Sequence, residues 1–382
     1  MRTEFMRRVD RWLGKVALWG STYWGPFFRK VRPATQRVVI AKFFGLGSII
    51  HTYRLLDALY SEGYEVAFLT FSANVPFLRK LKGVQHTFGI DPTTIHAMAT
   101  SSWRVVRAMN HWAPNTYIDL ELFSYYSAIM GVFSNAPTRI AFFSAIRPRR
   151  FYMTHRIRWN PFFHVSRNYL EFARPLVSQS TFKNAARRFT AEEIFQTLPS
   201  RSPINSPYIV LAPFASDTLA GLKMWPIAHW QTLIEYLGNA YPEFPLVIIG
   251  THNDLCGAAE LLQNVRHPAL INQVGKTTLE DLYALVAHAS LTIAIDSFPF
   301  HLSTLLGRPT IGLFGPETPI HYGSDDQPHS MALSSGIMCS PCINVYAGKV
   351  SELLCTDNQC LQRIRPETVM EIIQRRKILA VR

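Results

Sequence analysis

"RVVIAKFFGLGSIIHTYRLLDALYSEGYEVAFLTF" spans residues 37–71. Val38 to Ala41 is a short apolar run rich in β-branched residues, the pattern of a strand buried on both faces. A glycine turn follows, Gly45-Leu46-Gly47-Ser48, and then Leu55, Leu56 and Leu59 fit one face of a helix. Gly63 is placed to stop that helix, and Val66 to Leu69 reads as a second strand. Strand, helix, strand in this order is a βαβ unit, so the sheet is expected to be parallel.

Outward from this unit the alternation continues. "TYIDL" (116–120) and "RIAFF" (139–143) read as later strands of the same half, whereas 147–168 is basic and aromatic with no clear period. From Leu198 to Pro207 the composition turns to Ser, Pro and Asn, which reads as a linker. A second series begins after it. "YIVLAP", "FPLVIIG", "LTIAID" and "TIGLFG" have strand character, and residues 226–241, 253–264 and 278–289 have helical period. The fold class is α/β, with two Rossmann-like domains expected to face a central cleft. The expected division is a basic N-terminal segment 1–35, a Rossmann-like domain 36–200, a second Rossmann-like domain 201–365 and a C-terminal helix 366–382.

The chain has 382 residues, enough for two domains, and its 48% hydrophobic content gives each half a core. A net charge of +13 suits an anionic partner: nucleic acid, an anionic membrane or a phosphorylated substrate. No stretch reaches about 18 uncharged apolar residues, and the N-terminus lacks the apolar region and cleavage site of a secretory signal. A cytoplasmic protein is expected, where disulfides are rare. In the first 20 residues Phe5, Val9, Trp12, Val16 and Trp19 recur at helical spacing among Arg7, Arg8, Arg11 and Lys15. Such a helix can lie in a membrane interface or pack on the protein's own surface.

In open α/β sheets, ligands bind beyond the carboxyl ends of strands and at helix N-termini. The polar clusters fall there: Ser48 after the first strand, Ser216-Asp217 after "YIVLAP", Thr251 to Asp254 after "FPLVIIG", and Asp296-Ser297 after "LTIAID". Lys223 in "LKMWP" can neutralise a nucleotide phosphate, or be an ordinary surface lysine. His301 can donate to a phosphate or sugar hydroxyl, or be satisfied locally at the start of a helix. "GLGS" lacks the third glycine and the acid of a dinucleotide fingerprint, which argues against an NAD enzyme.

Together these pieces resemble glycosyltransferase family 9, the lipopolysaccharide heptosyltransferases of GT-B fold. The resemblance rests on "GKTTLEDLYALVAHASLTIAIDSFPFHLSTLLGRPTIGLFGPETP" (275–319), on "LKMWP" (222–226), on the opening "RVVIAKFFGLGSIIHT" (37–52), and on "CSPC" with "QCLQRIRPETVMEII" near the C-terminus. It implies inverting transfer of a heptose or related sugar from a donor such as ADP-heptose to a lipopolysaccharide-core or other glycan or protein acceptor. It implies that Lys223 touches donor phosphate, that Asp296, Ser297 and the backbone after them hold the sugar or diphosphate with His301 beside them, that Asp254 lies near the nucleoside, and that Ser216 contacts phosphate or ribose. No cofactor is required for catalysis. The partners implied are the nucleotide sugar, an anionic glycolipid or glycan acceptor and a peripheral contact with the cytoplasmic face of the inner membrane, with no nucleic acid.

Two positions depart from the family pattern. Ser48 stands where the family has its presumed catalytic Asp, and serine has no useful basicity near pH 7. Phe298 stands where the family has Gly, so its ring must turn away or wall the donor. Glu121 in "IDLELF" is then the replacement base, or else a structural carboxylate, read as lying on the same strand face as Asp119. Cys339, Cys342, Cys355 and Cys360 read either as a four-thiolate zinc or iron knuckle, which the autotransporter heptosyltransferase branch resembles, or as loop thiols. The rival function is a catalytically degenerate member that binds nucleotide sugar or glycan as a scaffold.

Overall fold

A computed structural model describes residues 10, 14–20, 35–143, 152–215, 220–263, 265, 267–325, 327–343, 355 and 357–379. The chain forms two compact units. One holds the described residues up to Arg187 and Glu193–Gln196; the other holds Arg188–Glu192 and the described residues from Thr197 onward.

The first unit is built on a parallel six-stranded sheet: β1 Arg37–Ala41, β2 Glu65–Phe71, β3 His86–Ile90, β4 Thr116–Asp119, β5 Thr138–Phe142 and β6 His155–Ile157. Its order is β3-β2-β1-β4-β5-β6. Val39 of β1 lies opposite Ala67 of β2 and Tyr117 of β4, and all three are buried. That two-sided burial explains why β1 reads as a continuous apolar run. The helices needed below are α1 (14–20), α2 Leu46–Ile50, α3 Tyr53–Ser61, α4 Ile95–Trp112 and α5 Tyr125–Phe133. The fully buried Arg54 of α3 donates to Ser166 Oγ (3.1 Å), Ala185 O (3.3 Å) and Arg187 O, tying α3 to the last third of the unit.

The second unit repeats the plan with β7 Ile209–Ala212, β8 Leu246–Ile248, β9 Leu270–Asn272, β10 Leu291–Ile295, β11 Thr310–Phe314 and β12 Ser330–Ser334. Its order, β12-β11-β10-β7-β8-β9, is the first sheet's order read from the other edge. Both are therefore the doubly wound Rossmann arrangement, and each has one switch point, at β1/β4 and at β7/β10. Its main helices are α6 Ile227–Ala240, α7 Leu279–His288, α8 Phe298–Leu305 and α9 Pro366–Arg375. The last of these belongs to the unit's core: Val369, Met370 and Ile373 pack in one cluster with Trp230, Leu233 and Leu237 of α6.

The N-terminal helix is anchored by a row other than the apolar one read in the sequence. Among its described residues the inward row is Asp10, Gly14 and Leu18. Asp10 accepts from the backbone N–H of Tyr125 (2.9 Å) and Tyr126 (2.7 Å), a carboxylate at the positive end of α5. Leu18 joins the core beside Val105, Met109 and Tyr125, whereas Val16 and Trp19, expected on the apolar face, point outward. Phe5, Val9 and Trp12 lie outside the described residues, as do Arg7, Arg8 and Arg11. No described helix is long and apolar enough to cross a membrane.

Candidate active site

The switch point of the second unit collects three of the residues singled out in the sequence. Asp296 is the first residue after β10, and β10 ends there because Asp296 and Ser297 turn the chain into α8. Lys223 closes the one-turn helix Ala220–Lys223. Two residues on, Trp225 is buried, and its Nε1 donates to Ile364 O at 2.8 Å. The tryptophan of "LKMWP" thus anchors the segment in the core and fixes where the lysine emerges. Lys223 Nζ meets Asp296 Oδ2 at 2.8 Å, and His301 Nε2 stands 3.5 Å from Asp296 Oδ1. Asp296 and His301 are both buried. Burial alone would raise the Asp296 pKa, but the charge of Lys223 and the His301 ring outweigh it and hold the carboxyl far below the usual range. The outcome is an ionised, neutralised carboxylate that fixes a lysine and a histidine at the mouth of a helix.

That helix suits an anion. Ser297 is its N-cap, yet its hydroxyl donates to Ile295 O (3.1 Å) and makes no cap bond to the helix. Phe298 is the first helical residue and is half-buried. Phe300 is fully buried and packs edge-on against Phe314, with centroids 5.1 Å apart, so it is core. The two phenylalanines of the motif therefore have different jobs. Asp254 is half-buried, and its Oδ2 accepts from both the backbone N–H and the hydroxyl of Thr251 at 2.7 Å, closing the turn after β8. Ser216 lies outside the described residues.

The switch point of the first unit holds Glu121. The sequence reading kept Glu121 on the β4 face with Asp119; the structure corrects this. β4 ends at Asp119, whose Oδ1 accepts from Glu121 N–H (3.0 Å), and this local bond turns the chain out of the sheet. Glu121 then reaches back to the end of β1. Its Oε1 accepts from Lys42 Nζ (2.8 Å), Phe43 N–H (2.8 Å) and Phe44 N–H (3.1 Å). Burial would raise the Glu121 pKa, but Lys42 and the two backbone donors reverse this and leave it below the usual range. Glu121 is thus ionised but drained of basicity, and it braces the turn before Gly45, whose φ of +79° favours glycine. Ser48 sits half-buried on α2, directly after that turn.

Lys42 is a residue the sequence reading missed. Its signal was available, since a cation straight after a fully buried strand needs an acid to neutralise it. Glu317 and His321 were missed as well. Both are buried just past the end of β11, with His321 Nδ1 3.8 Å from Glu317 Oε1.

Burial and then the nearby Cys355 and Cys339 thiols raise the Cys342 pKa, so the tail cysteines lie in one neighbourhood. Cys360 is buried against Gly315, where a Cβ would lie 3.0 Å from its sulfur. Cys342 is half-buried, its N–H bonded to Pro316 O at 3.0 Å, while Cys339 and Cys355 are exposed. Among the described residues no three metal-ligating side chains are placed to hold an ion.

Two Rossmann-order sheets, each with charged side chains buried at its switch point, define a doubly wound α/β protein whose ligand sites are expected at those switch points. The model of glycosyltransferase family 9 (heptosyltransferase) matches residues 123–347, and the chain belongs to that family. Lipopolysaccharide heptosyltransferase 3 of Escherichia coli is 28% identical over 177 residues, 46% of this chain and 46% of the relative. The match thus spans about half the length of that curated relative. The crystal structure of a family 9 glycosyl transferase from Veillonella parvula superposes with a TM-score of 0.68 at 19% identity, covering 89% of this chain and 96% of the other. That of E. coli ADP-heptose lipopolysaccharide heptosyltransferase II gives 0.63 at 18%, covering 89% and 97%. The fold is GT-B.

Proposed function

We propose that this chain transfers a heptose or related sugar, with inversion, from a nucleotide-diphosphate donor of the ADP-heptose kind to a lipopolysaccharide-core or other glycan or protein acceptor. The buried Lys223–Asp296–His301 cluster at the mouth of α8 carries the reading. A departing diphosphate develops negative charge, and preorganised cations and helix N-termini are the groups that stabilise it. Asp296 holds the Lys223 ammonium at 2.8 Å beside the N-terminus of α8, where its charge would meet a donor phosphate. Without Lys223 and His301, the charge of Asp296 would repel the diphosphate. The backbone of Ser297 and Phe298 and the turn of Asp254 complete the donor's described surroundings.

Glu121 is ionised at neutral pH, as a general base must be, but Lys42 and the backbone donors weaken it. With Ser48 in place of an acid, this observation favours a second reading, a member that binds the donor and transfers slowly or not at all. No step is assigned to a metal or cofactor. The acceptor is an anionic glycolipid at the cytoplasmic face of the inner membrane, to which the +13 chain and its first helix are drawn.

A thermal-shift series with ADP-heptose, ADP-glucose, UDP-glucose and ADP tests the donor. ADP-heptose should stabilise the full chain most, and Lys223→Ala should abolish the shift. Equal or absent shifts for all four would refute the donor assignment.

A further inference from the structure

Helix α4 has an outward face unlike that of an ordinary surface helix. Ser101, Val105 and Met109 face the core, which fixes the opposite side as the exposed one. On it stand Ile95, 67% exposed, and Trp103, 64% exposed, with Arg104 and Arg107 beside them. Trp103 and Arg107 are four residues apart and share the centre of the outward face, while at about 100° per residue Ile95 and Arg104 fall on its two opposite flanks. Between Asp91 and Asp119 the chain carries no acidic residue. A solvated helix usually mixes both signs of charge and hides its tryptophan. An acid-free face of Trp, Ile and Arg matches instead the interface of an anionic bilayer, where tryptophan sits at headgroup depth and arginine meets lipid phosphate.

The neighbouring helix has the same character. α4 borders α5 through Ser102 Oγ and Tyr126 OH (2.6 Å) and through Asn110 Nδ2 donating to Phe133 O (2.8 Å). The N-terminal helix borders the start of α5 through Asp10, and α1 turns Val16 and Trp19 outward. Leu18 of α1 and Val105 and Met109 of α4 lie in the same core cluster.

We propose that the outer face of α4, with Ile95, Trp103, Arg104 and Arg107, is a docking surface for an anionic lipid bilayer that seats the first unit beside α1. This inference rests on the membrane-borne acceptor proposed above. The test is sedimentation of the full chain with phosphatidylcholine vesicles, with and without 30% phosphatidylglycerol. Sugar transfer to a detergent-solubilised acceptor is measured in parallel. Arg104→Gln/Arg107→Gln should weaken binding to the anionic vesicles by roughly 30-fold, at about fivefold per basic residue. Trp103→Ser should weaken it by roughly tenfold, and both variants should keep the wild-type melting temperature. If the wild type binds and both variants bind equally well, α4 is not the surface, while the glycosyltransferase reading stands. Equal binding of the wild type to neutral vesicles, or preference for duplex DNA over vesicles, also overturns the inference. A wild type that transfers sugar in detergent yet ignores anionic vesicles overturns the docking surface alone.

Discussion

Lys223→Met removes the cation from the Lys223–Asp296 pair while keeping most of its volume. In the native protein the two atoms are 2.8 Å apart, with the Asp296 side chain only 6% exposed. The variant leaves a buried carboxylate whose nearest remaining partner is His301, 3.5 Å away. Breaking a buried pair by deleting one member costs about 3–5 kcal/mol. For a folding unit of this size, each kcal/mol moves the melting temperature by about 2–4 °C, so the second unit should melt about 6–20 °C lower. The pH dependence gives a sharper signature. In the wild type Asp296 has a lowered pKa, so its stabilisation is full above the unfolded value of about 3.9 and is lost as pH falls through the native value. In the variant burial is no longer outweighed and the pKa rises above the unfolded value. The penalty is then largest at pH 8 and shrinks as pH falls and Asp296 takes up a proton. The assay is calorimetric melting at pH 8 and pH 5.5, with Lys223→Met/Asp296→Asn recovering most of the loss. A single variant within about 1 kcal/mol of wild type at pH 8, or a gap that widens toward pH 5.5, would refute the reasoning.

Glu121→Gln should lower turnover by roughly 10²–10⁴-fold if Glu121 is the base, with donor affinity unchanged. It should also destabilise the first unit by leaving Lys42 buried without its anion, and Ser48→Asp should restore part of the turnover. Normal turnover with the lost stability would make Glu121 purely a brace. Asp10→Ala should cost about 0.5–2 kcal/mol by removing the acceptor of the Tyr125 and Tyr126 N–H groups at the start of α5, read as a lower melting temperature, and an unchanged melt would contradict the docking of α1. Gly315→Ala places a Cβ 2.7 Å from Leu361 Cγ and should cost about 1–3 kcal/mol by overpacking. Equal stability would show that the tail gives way there.

Much of the architecture was legible because parallel strands announce themselves as short apolar runs. Val38–Ala41, "LTIAID" and "TIGLFG" became β1, β10 and β11. Edge strands β3, β9 and β12 escaped because they are less buried and their composition is mixed; Leu270–Asn272 has no fully buried residue. The Lys223–Asp296–His301 cluster was readable since Asp296 and His301 sit in one motif and Lys223 in another. The role of Glu121 was not, because it depends on Asp119 turning the strand and on Lys42, 79 positions away in sequence. The inward row of α1 was hidden for a similar reason: Asp10 looks like a solvated charge until its two backbone partners on α5 are known.

The central claim is sugar transfer, and acceptor-dependent release of ADP from ADP-heptose measures it directly. Full-length protein is incubated with the donor and a heptose-deficient lipopolysaccharide core, and ADP and the mass of the glycolipid are followed together. The account predicts that ADP appears only with acceptor, that the glycolipid gains one heptose of inverted anomeric configuration, and that Lys223→Ala loses both signals. Tight donor binding with no acceptor-dependent ADP and no mass gain would contradict it and identify a binding protein on a glycosyltransferase fold.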